Sequence, residues 1–148
     1  DGNLNYFTGR HFYTGEGNNY KNPDISRDII GFELFINWNE PIILCEGVFD
    51  AIALKNNAIP LFGKTISKTL CCKLLQNKPP KLFIALDADA IDAAMKMAEY
   101  LMNNGLFIYV INMKSKDPSI IGYIDMMTLL QETLSITRSD ILKYKIRR

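Results

Sequence analysis

The chain has 148 residues, of which 48% are hydrophobic and 22% are charged, and this composition excludes disorder of the whole chain. That length has room for one hydrophobic core with a small appended subdomain. Seventeen basic and 16 acidic residues leave a net charge of +1, so no strong overall basic field favours nucleic acid. No apolar run approaches the roughly 20 residues of a membrane span, and no signal-like start is present.

The cysteine and histidine content argues against several kinds of site. Cys45, Cys71 and Cys72 form no CxxC pair, and His11 is the single histidine. A zinc site and a Ser-His-Asp or Cys-His catalytic arrangement therefore have no support. We interpret the three cysteines as reduced core thiols, which indicates the cytoplasm. Because the chain opens on Asp1 without an initiator methionine, we expect a domain excised from a longer protein.

Residues 1–40 differ in composition from the rest of the chain. Asparagine, glycine and aromatic residues dominate them, and short aromatic runs broken by Gly and Asn predict small antiparallel strands. The apolar segment 28–38 predicts a strand or a short helix. It leads to a break at Asn39-Glu40-Pro41.

Four apolar runs of strand length follow, at 42–45, 58–62, 81–86 and 106–113. Helical patterns separate them, with helices predicted after residue 47, over 67–76 and over 90–104. Because each crossover is longer than ten residues, the alternation predicts a parallel α/β sheet. Two terminal helices are predicted over 120–133 and 138–144, with Ser135 or Thr137 as the cap of the second.

Acidic residues follow the first and third predicted strands. Glu46 and Gly47 end the first strand, Asp50 falls in the first turn of the next helix, and Asp87-Ala88-Asp89 ends the third strand. If these strands are neighbours, the three strand-end acids converge in the crevice where open α/β sheets bind ligands. They then repel one another unless a cation is present, and hard oxygen ligands suit Mg²⁺. Singly, helix capping or loop exposure explains each acid; together they favour a metal site for chemistry on phosphates.

The second predicted strand ends in Gly63-Lys64-Thr65-Ile66-Ser67. A glycine at a strand end, followed by hydroxyl residues that can cap a helix, is a modest signal for anion binding. Lys64 would reach a phosphate from there. An ordinary capped turn with a solvated lysine explains the same residues.

The pattern Glu46-Gly47-x-x-Asp50, followed after a later strand by Asp87-x-Asp89, resembles the Toprim domain. Primases, type IA and type II topoisomerases, some nucleases and recombination proteins share that domain. The sequence of residues 46–54 is most similar to that of bacterial and phage-type DNA primases. The resemblance implies a Rossmann-like parallel four-stranded sheet with flanking helices, preceded by a small β-rich N-terminal subdomain. The implied domains are an N-terminal part of a primase core (1–40), a Toprim domain (41–118) and C-terminal helices (119–148).

The resemblance also implies a function. The chain would be the catalytic core of a DNA primase, a DNA-directed RNA polymerase that makes short primers by metal-dependent nucleotidyl transfer. The residues that match the family's functional positions are the catalytic and metal-binding Glu46, Asp87 and Asp89, the further metal ligand Asp117, the supporting Gly47 and Asp50, and the nucleic-acid or nucleotide contacts Arg10, Lys21 and Lys64. For Arg10, an exposed turn arginine is an equal alternative.

The implied cofactor is Mg²⁺ or Mn²⁺. The implied partners are a single-stranded DNA template, nucleoside triphosphates and a replicative helicase that binds through regions outside this chain. The implied location is the bacterial cytoplasm, with a phage-encoded protein as one possible origin. One position departs from the family pattern, because Asp92 stands where Toprim domains usually carry glycine. Two alternatives stay open: a Toprim nuclease or topoisomerase-like enzyme, and a non-catalytic Toprim module that binds nucleic acid.

Overall fold

A parallel sheet of four strands lies at the centre of the computed structural model, which describes residues 6–10, 20–55, 57–113, 121 and 123–147. A separate pair of two-residue antiparallel strands precedes it. The strands and helices in chain order are β1 (Gly9–Arg10), β2 (Tyr20–Lys21), β3 (Ile42–Cys45), α1 (Val48–Leu54), β4 (Ala58–Pro60), α2 (Lys68–Asn77), β5 (Leu82–Ala85), α3 (Ile91–Asn103), β6 (Ile108–Val110), α4 (Tyr123–Glu132) and α5 (Arg138–Ile146). The predicted α/β fold class is confirmed.

The strand order of the main sheet is β4-β3-β5-β6, and every pairing is parallel. The two central strands β3 and β5 pair in register from Ile42 opposite Leu82 to Cys45 opposite Ala85. All their residues are buried, as expected for strands covered on both faces. Because β3 and β5 are neighbours in register, the residues that follow them leave the sheet at the same edge.

The core divides into one apolar cluster on each face of the sheet. Alternate residues of β3 point to opposite faces, so Ile42 and Leu44 join the cluster under α2 and α3, whereas Ile43 and Cys45 join the cluster under α1 and α4. Cys45 is fully buried, which agrees with the prediction of a core thiol. Burial raises the pKa of the Cys45 thiol well above its usual range.

The prediction of a core position is wrong for Cys72, which is exposed, and Cys71 is only half-buried. The buried residues of α2 are Leu70 and Leu74, four positions apart on one face of the helix. Cys72 lies midway between them in sequence and therefore on the opposite face. The predicted cap of this helix is present, because the Ser67 hydroxyl accepts a hydrogen bond from the backbone N–H of Leu70 at 3.2 Å.

Two hydrogen bonds join the segment 27–38 to the loop after β4 and to helix α2. The Arg27 guanidinium donates to the carbonyl of Phe62 at 3.2 Å, and the Asp28 carboxylate accepts from the backbone N–H of Thr69 in the first turn of α2 at 2.8 Å. The predicted strand or helix in this segment is reduced to one 3₁₀ turn, Glu33–Phe35. The domain boundary at 40–41 stays a prediction, and the boundary at 118–119 lies outside the described residues.

The hydrogen bond to Asp28 predicts a pH dependence of stability. It lowers the pKa of this carboxyl below its usual value, so the native state binds its proton less readily than the unfolded chain. The stabilisation is therefore complete at neutral pH and is lost as the pH falls below about 4 through the lowered pKa. We expect Asp28→Asn to lower the urea concentration at the unfolding midpoint at pH 7. In an assay at about pH 2.5, below the usual pKa of aspartate, the substitution should have little effect. Asp24→Asn, the same change at an exposed site four residues earlier, should leave both midpoints unchanged; equal effects of the two variants would contradict the assignment.

The C-terminal helices complete the fold. Thr137 caps α5, with its hydroxyl accepting from the backbone N–H of Asp140 at 3.2 Å, which confirms one of the two predicted caps. The Tyr144 hydroxyl of α5 donates to the carboxylate of Asp92 on α3. At the edge of the sheet, the backbone N–H of Ile136 donates to the carbonyl of Ile108 at 2.8 Å. Across the described residues, no helix combines the length and the apolar character that a membrane crossing needs.

Candidate metal centre

Three carboxylates meet at the edge of the sheet where β3 and β5 end. Glu46, Asp87 and Asp89 each offer an oxygen, and these oxygens lie within 4.8 Å of one another. In the register of β3 and β5, Cys45 lies opposite Ala85, so Glu46 and Asp87 follow the two strands at the same edge, and the 3₁₀ turn Ala88–Ala90 carries Asp89 next to them. The structure thus brings together the three acids that the sequence placed at strand ends.

A hydrogen bond fixes the Glu46 side chain against its neighbour. Its Oε1 accepts from the backbone N–H of Asp87 at 3.2 Å. Partial burial raises the pKa of Glu46, and the negative charges of Asp89 and Asp50 act in the same direction, while this hydrogen bond and Lys64 oppose them. Glu46 therefore ionises less readily than a free glutamate, and added positive charge would offset this effect.

Gly47 and Asp50 shape the turn that carries Glu46. The backbone N–H of Gly47 donates to Oδ2 of Asp50 at 3.1 Å, and this contact closes the first turn of α1. Gly47 has φ −115°, which other residues adopt freely, so its backbone conformation does not require glycine. A Cβ at position 47 would lie 3.0 Å from Asp50 Oδ2, but that atom ends a side chain that can shift, so the steric preference for glycine is small.

A lysine neutralises part of the acidic cluster. The Lys64 ammonium donates to Asp89 Oδ2 at 2.7 Å, and both side chains are well exposed. The ion pair raises the pKa of Lys64. The acidic motifs themselves contain no basic residue, and the structure supplies one from the loop after β4, the strand on the other side of β3.

A cavity of about 510 Å³ opens beside Glu46 and Asp87. The residues that line it come from the small strand pair and from the edge of the main sheet: Thr8, Arg10, Tyr20, Asn22, Glu46, Gly47, Val48, Phe49, Asp50, Phe62, Gly63 and Asp87. The predicted nucleic-acid contact Arg10 therefore faces the same cavity as two of the predicted metal ligands.

Aromatic rings hold Arg10 at the wall of this cavity. Its guanidinium carbon lies 5.6 Å from the ring centre of Tyr20 and 5.8 Å from that of Phe49, which are cation–π distances. The two rings are themselves 6.2 Å apart. Sequence reasoning missed Tyr20 and Phe49 as site residues, and the only signal for them was the aromatic content near the Glu-Gly motif and the N-terminal turns.

Phe62 is another lining residue that the sequence did not single out. It has φ +56°, a left-handed conformation that is unusual for a bulky side chain. Gly63, the next residue, has φ +149°, and its N–H donates to the carbonyl of Glu46 at 3.3 Å. The chain thus turns sharply between β4 and Lys64, and the turn is bonded directly to the backbone of the acidic cluster.

Among the described residues, Lys21 and Asp92 lie outside the carboxylate cluster. Lys21 lies in β2, exposed, and is not among the residues that line the cavity. Asp92 accepts its hydrogen bond from Tyr144 and is not part of the carboxylate cluster found among the described residues. Asp117 lies outside the described residues, so its role as a metal ligand stays a prediction.

Comparisons with known proteins agree with the fold. No family model matches the chain. The sequence is 34% identical over 101 residues to the uncharacterised protein MG010 of Mycoplasma genitalium, and the match covers 64% of this chain and 46% of that protein. The chain thus spans less than half the length of this relative. The structure is similar to the zinc-binding and RNA polymerase domains of the Aquifex aeolicus primase, with a TM-score of 0.73, 20% identity, and coverage of 96% of this chain and 41% of that one.

The carboxylate cluster has the chemistry of a site for a hard divalent cation. All three side chains offer oxygen, and Mg²⁺ prefers oxygen ligands, of which only one or two need be protein carboxylates. The exposure of Asp89 leaves space for water or phosphate oxygens to complete the coordination. The residues present therefore fit Mg²⁺ or Mn²⁺.

Proposed function

We propose that the chain is the catalytic core of a Toprim-type DNA primase, an enzyme that joins ribonucleotides on a single-stranded DNA template. The observation that carries the proposal is the cluster of three carboxylate oxygens within 4.8 Å at the ends of two adjacent parallel strands. The likeness of 96% of this chain to part of a structure that holds the zinc-binding and RNA polymerase domains of a primase supports the same proposal.

In this proposal, Glu46, Asp87 and Asp89 hold one or two divalent ions, and Asp117 is a further ligand. A bound ion supplies positive charge that favours ionisation of a primer 3′-hydroxyl and neutralises phosphate oxygens of the incoming nucleotide. Glu46 Oε1 is engaged with the N–H of Asp87, which leaves Oε2 to bind the ion or to accept a proton. Gly47 and Asp50 keep Glu46 in place by closing the turn beside it.

The cavity beside the cluster is the proposed site for nucleic acid or nucleotide. Arg10 supplies a guanidinium at its wall, and exposed Tyr20 supplies a ring face on which a base can stack. Lys21 extends the same strand pair with a second positive charge. Contacts of these cations with phosphate should weaken as salt concentration rises.

The proposal predicts short RNA products when the chain is incubated with single-stranded DNA, the four ribonucleoside triphosphates and Mg²⁺ or Mn²⁺. Removal of the metal with EDTA should abolish synthesis, because the acidic cluster would then repel the phosphates. Denaturing gel electrophoresis of labelled products measures both results. Cleavage of the DNA without incorporation would assign the chain to the nuclease alternative, and Mn²⁺ binding with neither reaction would assign it to the non-catalytic one.

A further inference from the structure

Lys64 binds a carboxylate oxygen for which a metal ion would have to compete. Its Nζ is 2.7 Å from Asp89 Oδ2, which is an oxygen of a proposed metal ligand. Asp89 is the most exposed of the three acids, with 75% of its side chain accessible, while Glu46 and Asp87 are half-buried. The lysine therefore engages the one carboxylate that is easiest to reach from solvent.

We propose that Lys64 is a tethered counter-cation of the acidic cluster, which competes with the divalent ion for Asp89 and is displaced when the ion binds. This inference rests on the proposed metal site and adds a regulatory element to it. While Lys64 holds Asp89, one of the three negative charges is compensated and the cluster attracts free divalent ions less. When an ion takes Asp89, the ammonium group of Lys64 is released beside the site.

The spaces around Lys64 suggest that the released lysine binds phosphate. Lys64 and Asp89 also line a groove of about 490 Å³, which shares no lining residue with the cavity at Glu46. The floor of the groove is apolar, with Ile66, Ala93 and Met97. Its neighbour Gly63 lines the cavity at Glu46, so a displaced Lys64 can bind a phosphate group that arrives beside the cluster, and phosphate and metal should bind cooperatively.

The Lys64–Asp89 ion pair is weak enough for a divalent ion to displace Lys64. Exposed lysine–carboxylate pairs are weak and are screened by salt, whereas a divalent ion brings twice the charge to three carboxylates. The lysine should therefore reduce metal affinity without preventing binding. We expect Lys64→Met to bind Mn²⁺ about 3- to 10-fold more tightly than the unaltered chain, from the loss of the competing pair and of like-charge repulsion.

Isothermal titration calorimetry with MnCl₂ alone is the primary measurement, and two variants serve as controls. Lys64→Arg keeps the charge and should keep the affinity of the unaltered chain. Lys96→Met removes the same charge from another residue that lines the groove, and should change the affinity less than 2-fold, a threshold set by the precision of the assay. A tighter Lys64→Met that is matched by Lys96→Met would overturn the proposal, because general charge would then explain the result.

Displacement itself is visible by NMR. The side-chain signal of Lys64, assigned by its absence from the Lys64→Met spectrum, should move on addition of Mg²⁺ toward its position in Asp89→Asn. Inorganic phosphate should then raise Mn²⁺ affinity more in the unaltered chain than in Lys64→Met. Equal metal affinity of Lys64→Met and the unaltered chain would refute the role of Lys64 and leave the metal site standing. Absence of Mn²⁺ binding in both would refute the metal site and this inference with it.

Discussion

Glu46→Gln is expected to reduce template-directed nucleotide incorporation by about 100- to 10,000-fold, the range found when a group that transfers protons or binds the reacting charge is removed. Glutamine keeps the oxygen that accepts the N–H of Asp87 at 3.2 Å. It removes the negative charge through which Glu46 would bind the ion or accept a proton. The loss should therefore be chemical, with the turn after β3 intact.

Stability measurements separate this loss from misfolding. Without metal, Glu46→Gln should melt at or above the temperature of the unaltered chain, because one of three mutually repelling charges is gone. Glu40→Gln is the matched control, since it makes the same change at an exposed position before the opposite end of β3. It should leave both incorporation and melting unchanged. Full incorporation by Glu46→Gln would remove Glu46 from the catalytic residues.

Gly31→Ala is expected to lower the free energy of unfolding by about 1–3 kcal/mol, the cost of overpacking a well-filled contact. A Cβ at position 31 would lie 2.5 Å from Cγ and 2.9 Å from Cδ of Pro60, and 3.0 Å from the ring of Phe62. Pro60 is a rigid, buried residue of β4, so the segment that carries Gly31 must move instead. The melting temperature of Gly31→Ala should be about 3–10 °C lower than that of the unaltered chain.

Gly9→Ala provides the control, because a Cβ there meets its nearest neighbour, the carbonyl of Lys21, at an ordinary 3.6 Å. This variant should stay within about 0.5 kcal/mol of the unaltered chain. If Gly31→Ala were as stable as Gly9→Ala, residues 27–31 would not pack on the end of β4 as described. Because Phe62 also lines the cavity, Gly31→Ala should weaken nucleotide binding as well.

Local patterns were sufficient to predict most of the secondary structure and the set of acidic residues. The runs that became β3 and β5 are continuous and apolar and follow prolines, and their short length favours a buried strand over a buried helix. A turn has to follow each of them, so Glu46 and Asp87 had to stand at strand ends. Thr137 was predictable as a cap for a similar local reason, since its partner Asp140 is three residues away.

Interactions between distant residues were not predictable in the same way. Lys64 and Asp89 are 25 residues apart, and the sequence alone suggested a phosphate as the partner of the lysine. The rings on either side of Arg10 come from β2 and from α1, and nothing local links them. The exposure of Cys72 depended on which face of α2 met the sheet.

The sequence by itself determined which residues stand at the ends of strands, because hydrophobic runs and turn residues act over a few neighbours. Only the tertiary structure decided that β3 lies between β4 and β5, and this order brings Lys64, Glu46 and Asp87 to one edge. Apolar runs of similar length and composition can pair in several orders at similar cost. The order is therefore chosen by how the helices pack on both faces, which involves the whole chain at once.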